Sequence, residues 1–456
     1  MAKKTIQKAA EAPASAFEEG VERIKKFEQE LVSKEPLKTA EEYWHTLGPG
    51  LTTGASDDDP SGIATYSQAG AQYGFQLSWL SLFTFPLMAT VQEMCARIGL
   101  VTGRGLAGNI RQHYSKKVLY ACGLLLFVAN VFNIGADLGA MAQGARLLAP
   151  GLNFYALIIA FAGVSLVLQI FTTYARYARY LKYLALVLFA YMLSALSVQM
   201  DWHALFKATI IPSITFSKEQ ILLVCAILGT TISPYLFFWQ TSQEVEEEIL
   251  RGEKTLAARK NSVTLKQVKE MRVDVWSGMF VSNAVMFFII AACAATLFVH
   301  GQNNIQSASD AALALKPFAG NLAYWFFAIG IIGTGLLAIP VLAGSASYAL
   351  SESFGWKQGL YRTLGQAKAF YGVIIIAMLL GILLNFTNID PIKALIYSAV
   401  LNGIIAPPIL ILIVRISGNK HIMGEHASGG TAKVVGWLTI GLMVVSGAAA
   451  LVSLAL

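Results

Sequence analysis

Charge is scarce in this chain of 456 residues. Asp, Glu, Lys and Arg make up 13% of it, against 55% hydrophobic residues. So little charge excludes a water-soluble domain of this size, and the apolar runs that recur from about residue 46 to Leu456 make it an integral membrane protein. Cysteine is equally sparse. Cys95, Cys122, Cys225 and Cys293 are scattered with no disulfide or metal-binding spacing and read as small core residues. The six histidines fall at the ends of apolar runs or in loops, and no nucleophile stands at a useful spacing from a base, which argues against a membrane hydrolase. The formal charge of +7 comes without a basic soluble domain, which excludes nucleic acid as a partner.

What is present is about eleven apolar runs, near 46–69, 76–101, 118–149, 153–173, 181–199, 218–242, 276–299, 322–346, 371–387, 391–416 and 433–455. Basic residues gather in alternate loops, as in Arg104, Arg111, Lys116 and Lys117, then Arg176, Arg179 and Lys182, then Arg362 and Lys368. That bias puts the amino terminus in the cytoplasm of a protein expected in the bacterial inner membrane. Residues 1–45 lack the apolar core of a signal peptide. Phe17, Val21, Ile24, Phe27 and Leu31 stand there at helical spacing, as in a helix lying on the membrane face, although a solvated tail fits equally. The polar stretch Gln243 to Asp274 is expected as a solvated cytoplasmic helix or loop.

Two runs are interrupted in the same way. "DDDPSG", Asp57 to Gly62, breaks the first, and "TTISPYLFFW", Thr230 to Trp239, breaks the sixth. Proline removes a backbone donor and forces the preceding residue out of helical geometry, so each span becomes two half-helices. Five crossings separate the breaks, which inverts the second unit relative to the first. That is the layout of a five-plus-five inverted-repeat transporter, with spans 1–5 over 46–199, spans 6–10 over 200–416, and a loop and eleventh span over 417–456. The half-helix before Pro60 directs unpaired carbonyls at the membrane centre, and Asp57, Asp58 and Asp59 add like charge to that negative end. Only a cation, protons or a watery cavity makes this tolerable. A structural account stands beside it: Asp59 and Ser233 are helix caps with Pro60 and Pro234 at the first helical position.

The run "GPGLTTGASDDDPSGIAT", followed by "AGAQYGFQLSW", "ARIGLVTGRGLA", the "DLG" of the third span and the late "GNKHIMGE", resembles the Nramp family of divalent metal transporters over residues 46 to about 430. The resemblance implies an all-α membrane protein with a LeuT-like fold, usually importing manganese or ferrous iron with protons. The family's Asp-Pro-Gly-Asn reads Asp59-Pro60-Ser61-Gly62 here, so the aspartate is kept and the metal-binding asparagine is a glycine. Its Met-Pro-His reads Ser233-Pro234-Tyr235, without thioether or histidine. The alanine whose carbonyl binds metal falls at about Thr230, a second histidine at Gln240 and the tenth-span glutamine at Ala399. In span three the family's aspartate matches Asp137, while the following glutamate becomes Ala140. Lys368 is the basic residue that the resemblance offers as a partner for Asp137.

A thioether favours soft and borderline metals, whereas carboxylate, hydroxyl, carbonyl and water suit magnesium, calcium or manganese. The expected substrate is therefore a hard divalent cation, Mg2+ or Mn2+. Asp59 is the metal ligand, carbonyls or hydroxyls of Ser56, Thr230 and Ser233 complete the shell, and Gly62 leaves room for water. Asp57 and Asp58 are second-choice ligands, and Tyr235 lines the site. Asp137, Glu93 and Gln240 are candidates for coupling, although Glu93 stands one turn before Arg97 and a local ion pair explains it as well. No cofactor is expected besides the transported cation, the partners are that cation and the lipid bilayer, and the sequence sets no oligomeric state. Two alternatives stay open: the aromatics around the breaks, Tyr66, Tyr235, Phe237, Phe238 and Trp239, suit an organic cation, and carboxylates in a broken helix suit a channel. Gly330, Gly333 and Gly335 read as close helix packing rather than a nucleotide loop.

Overall fold

A computed structural model describes residues 43–303, 305, 308–387 and 391–455, so the amphipathic amino-terminal segment lies outside the described residues except at its end. Among these residues all regular structure is helical. The first apolar run folds as α1 (Pro49–Asp57) and α2 (Pro60–Tyr73), and α3 (Trp79–Thr102) follows across a bend of 105°. A short helix α4 (Leu106–His113) precedes α5 (Lys116–Leu148) and α6 (Phe154–Phe171), and α7 (Tyr174–Leu184) with α8 (Phe189–Leu196) makes the fifth crossing. Helix α9 (Trp202–Ile210) leads to the second broken crossing, α10 (Lys218–Thr231) and α11 (Pro234–Leu250). Then come α12 (Leu256–Ser262), α13 (Leu265–Cys293), α14 (Ala308–Phe354), α15 (Lys368–Leu384), α16 (Pro391–Ser417), α17 (Lys420–Met423) and α18 (Gly430–Ala455).

The apolar runs all fall on helices. Eight helices among the described residues are long and apolar enough to cross a membrane by length and composition, and nine if the bent pair counts as one. The runs outside those eight are the first two, whose helices meet at the 105° bend, and the ninth, a 17-residue helix. Helix α14 extends well beyond the expected 322–346 and contains a non-helical residue, Gly320, at φ 80°.

The two breaks share a backbone solution. Asp58 (φ −84°, ψ 50°) and Ile232 (φ −111°, ψ 58°) end the first halves, and Asp59 (ψ 167°) and Ser233 (ψ 131°) are extended, as a residue before proline must be. Each proline then occupies the first turn of the next half-helix, where its missing N–H costs nothing.

Helix α1 is short, and its position is set from α13. Asp274 of α13 accepts hydrogen bonds from the backbone N–H groups of Gly48 (2.8 Å), Gly50 (2.7 Å) and Leu51 (3.0 Å), which are the groups a helix start leaves unpaired. Hydrogen bonds to a charged acceptor each contribute about 1.5–3 kcal/mol. The helices touch backbone to backbone: a Cβ on Gly54 would lie 2.3 Å from the Gly278 carbonyl, and one on Gly278 would lie 2.1 Å from the Gly50 oxygen. The second broken span is held in the same way, since a Cβ on Gly229 would meet the Ala399 oxygen of α16 at 2.0 Å. Gly330, Gly333 and Gly335 do make close packing, against Tyr191, Val187 and Met141.

The stretch from Gln243 to Asp274 is solvated, as expected, through most of residues 250–270, which include the short helix α12, but its two ends are buried. Helix α11 runs on through Leu250, and Glu244, Glu246, Glu248 and Asp274 are buried. Glu246 and Asp274 sit inside because a neighbouring loop and a helix start supply them with donors, whereas Glu248 has only Arg259, at 4.0 Å. Glu246 accepts from Tyr348 Oη (2.6 Å) and from the N–H groups of Leu360 (2.7 Å) and Tyr361 (3.1 Å). On the opposite face, Gln76 after α2 donates to Thr215 Oγ1 (2.9 Å) and accepts from Gln220 of α10 (3.3 Å), which ties the outer ends of the broken spans together.

Gly54→Leu puts a branched side chain into a backbone contact that has no flexible neighbour to yield. Thermal unfolding in detergent should show a loss of at least 10 °C or no folded protein, whereas Gly372→Ala, with nothing within 4 Å of the new Cβ, should leave the midpoint unchanged.

Candidate functional site

The breaks of α1/α2 and α10/α11 meet in the interior. Asp57, Asp58 and Asp59 have relative exposures of 0%, 0% and 1%, so the site is closed to solvent. Asp59 caps α2 as expected, with Oδ1 accepting from the Gly62 N–H (2.8 Å) and Ser61 Oγ (2.5 Å). Its Oδ2 has only the Tyr235 hydroxyl, at 3.5 Å. Asp57 turns towards α13, where Ser282 donates to Oδ2 (2.9 Å). Five carboxylate oxygens around the break are buried without a hydrogen-bond partner: Asp57 Oδ1, both of Asp58 and both of Asp137. Asp137 of α5 stands close enough to Asp59 and to the Ser61 amide to interact with both electrostatically. None of these acids forms an ion pair among the described residues.

Neutral oxygens converge on the same place. A Cβ on Gly62 would lie 3.1 Å from Thr230 Oγ1, 3.3 Å from the Asp57 carbonyl oxygen and 3.4 Å from the Tyr66 ring, so the glycine lets these oxygens approach the start of α2 more closely than a side chain would. Tyr66 Oη and Thr231 Oγ1 are 3.4 Å apart. Among the described residues no three His, Cys, Asp or Glu side chains converge, so the carboxylates line the break without forming a cage. The pattern suits one or two carboxylate oxygens supplemented by carbonyls, hydroxyls and water.

Other expected residues are placed differently. Ser233 occupies the cap position of α11 but does not cap it. It donates back to the carbonyls of Gly229 (2.8 Å) and Thr230 (2.7 Å), because those oxygens lose their helical partners at the break. Ser56 is engaged at both oxygens, its hydroxyl donating to Thr52 O (2.6 Å) and its carbonyl accepting from Tyr235 Oη (2.8 Å). Asp137 does not pair with Lys368, which is exposed at the start of α15 while Asp137 is fully buried. Glu93 accepts from Arg97, from Arg272 (2.8 and 3.0 Å) and from the Trp276 indole (2.8 Å), so it binds α3 to α13 away from the break. Gln240 donates to Glu244 (2.9 Å), two turns along α11.

Two contributors escape a reading of the sequence. Ser282 and Asp274 lie far along the chain from the residues they serve, Ser282 being 225 positions from Asp57. Only their spatial neighbours distinguish them from ordinary residues of an apolar helix.

A bundle of membrane helices in which two matched, inverted spans break against each other around buried carboxylates is a secondary transporter of the LeuT-like fold. Residues 50–453 match the family described as "Nramp: Natural resistance-associated macrophage protein-like", and the chain belongs to that family. The divalent metal cation transporter MntH of Pectobacterium carotovorum is 25% identical over 87% of this chain and 92% of its own length. The protein of the same name from Yersinia pestis is 25% identical over 90% and 95%. Among solved structures, an Eremococcus coleocola manganese transporter superposes with a TM-score of 0.67 at 17% identity, covering 90% of this chain and 86% of its own. A nucleobase-cation-symport-1 family transporter, MHP1, in a closed conformation reaches 0.50 at 14% identity, covering 89% and 91%.

The close approach at Gly62 yields a direct expectation. Gly62→Ala pushes Thr230 Oγ1 and the Asp57 carbonyl outward by a few tenths of an ångström, an effect partly offset by the better helix propensity of alanine, so divalent-cation affinity measured by titration should fall at least tenfold while the thermal midpoint stays within a few degrees of wild type.

Proposed function

We propose that this protein carries a hard divalent cation, Mg2+ or Mn2+, across the bacterial inner membrane by alternating access, with its amino terminus in the cytoplasm. The observation that carries this reading is the group of five unpartnered, buried carboxylate oxygens around one helix break, none of whose acids forms an ion pair among the described residues. Buried charges are ordinarily paired or coordinate metals, and an unpaired carboxylate at this depth costs several kcal/mol. A divalent cation at the break removes that cost.

Asp59 is the metal ligand. Its carboxylate is oriented by Ser61 and the Gly62 amide, with one oxygen left facing only Tyr235. Thr230 Oγ1 and the Asp57 carbonyl, which approach closely at Gly62, supply further oxygens, and retained water completes the shell. The carbonyl of Ser56 and the hydroxyl of Ser233 join it only if their present hydrogen bonds open. Asp57 and Asp58 supply long-range attraction for a dication and line its way in. Asp137 is the coupling candidate nearest the site, whereas Glu93 serves the packing of α3 on α13. The relatives named for divalent metal or manganese transport agree with this class of substrate.

The organic-cation alternative needs open aromatic faces. Trp239 instead packs its ring on Gly344 and edge-on to Tyr348 at 6.3 Å, and Phe237 and Phe238 are fully buried.

In proteoliposomes carrying an internal metal-sensitive dye, wild-type protein should take up Mg2+ or Mn2+ and Asp59→Ala should fall to the rate of empty vesicles. Uptake that survives the substitution would remove Asp59 from the path. Ser233→Met, which restores a thioether, should shift the preference towards Mn2+ or Cd2+ and away from Mg2+ at least several-fold.

A further inference from the structure

The face that carries the basic loops holds a cavity of about 370 Å3, remote from the helix breaks. Its walls come from the α3–α4 connection, the inner half of α11, the start of α12, the end of α14 and the loop from Gly355 to Arg362. Five cationic side chains line it: Arg104, Arg111, Arg259, Lys357 and Arg362. Against them stand two carboxylates, both already satisfied. Glu246 is held by Tyr348 and two backbone amides, and Glu352 accepts from the Gly108 N–H (2.7 Å) and from Gln358 (2.7 Å).

The cations are held largely by neutral groups: Arg259 donates to the carbonyls of Gly103, Glu253 and Lys254, Arg362 to that of Gln358 (3.1 Å) and Arg111 to that of Glu352 (3.4 Å). Arg259 has an ion pair with Glu248 at 4.0 Å, but Arg104, Arg111, Lys357 and Arg362 form none among the described residues. Arg104 Nε is buried with no hydrogen-bond partner, and so is Gln358 Oε1. Beside them are two aromatic rings, each covered on one side and 42% exposed as residues: Trp356, stacked on Phe354 at 4.8 Å, and Tyr361, which carries the Arg362 guanidinium 4.7 Å above its ring.

This surround is wrong for a dication. Several like charges around one cavity repel it, so the cavity is not the inner stretch of the cation path. Arginine forks beside unpaired donors match phosphate oxygens, a lone acceptor matches a hydroxyl or amine, and partly exposed aromatic rings match a flat base. We infer that the cavity binds a phosphate-bearing anion of the cytoplasm, held by Arg104 and Arg111 on one wall and by Lys357 and Arg362 on the other. An occupant bridges the α3–α4 connection to the loop after α14, over the inner half of the broken sixth span. It thereby holds that half-helix in its present position and slows opening on this face. The slowing rests on the transport reading; the binding does not.

The probe is ATP in metal-free buffer, titrated into the purified full-length protein, with inorganic phosphate as a second arm. A third arm compares thermal midpoints in nanodiscs of phosphatidylcholine with and without phosphatidylglycerol, which separates a lipid headgroup from a soluble phosphate. Saturable ATP binding that weakens at least tenfold in R104Q/R362Q, and at least threefold in the surface variant K357E, supports a soluble ligand. A rise of several degrees with phosphatidylglycerol that the same variants abolish supports the headgroup as the source. Lys266→Gln, on an exposed residue outside the cavity, should change neither. Absence of both responses in folded wild-type protein, or responses untouched by R104Q/R362Q and K357E, overturns the inference. Asp59→Ala should keep the phosphate response, so failure of the cation site and failure of this site are separately visible.

Discussion

Everything in this protein is arranged around carboxylates that have nothing to pair with. Asp57, Asp58 and Asp59 stand where one half-helix ends, its free carbonyls adding to their negative potential, and Asp137 reaches the same place from α5. In water such a group is unremarkable; in the interior of a membrane protein it is tolerable only with a counter-charge. Among the described residues no lysine or arginine pairs with these acids. A permanent basic partner would satisfy the acids and leave no role for a visiting cation.

The surrounding architecture keeps the break in place. Proline at the head of each second half-helix makes the interruption compulsory, and Asp59 caps α2 with one oxygen while leaving the other less engaged. Helix α1 cannot slide independently of α13, because Asp274 grips its amino end and Gly54 and Gly278 bring the backbones into contact. The same α13 presents Ser282 to Asp57. The bonds of Gln76 to Thr215 and Gln220 on one face and those of Glu246 on the other tie together the ends of the bundle.

Much of this was legible in the residues. The two prolines preceded by an unhelical residue announced both breaks, their separation announced the inverted halves, and the Asp59 cap followed from Asp before Pro. The small residues of span eight were read as packing and serve as packing. What escaped depends on distance along the chain. Nothing local in Ser282 or Asp274 points to a partner more than two hundred positions away. The polar stretch after Gln243 is solvated over most of residues 250–270, but Glu246 is buried because a loop brings backbone amides to it, and loop paths are not visible in a pattern of residues. Ser233 shows a further limit. Its position is that of a cap, but the orphaned carbonyls of the preceding half-helix compete for its hydroxyl and win.

The central claim is that a dication is the missing counter-charge at the break. Isothermal titration of the purified protein with magnesium, manganese and calcium, beside Asp59→Ala, tests it most directly. The account predicts saturable binding of magnesium or manganese that disappears in the variant while the fold is kept. Folded wild-type protein that binds none of the three, or an Asp59→Ala variant that binds as well as wild type, would contradict it.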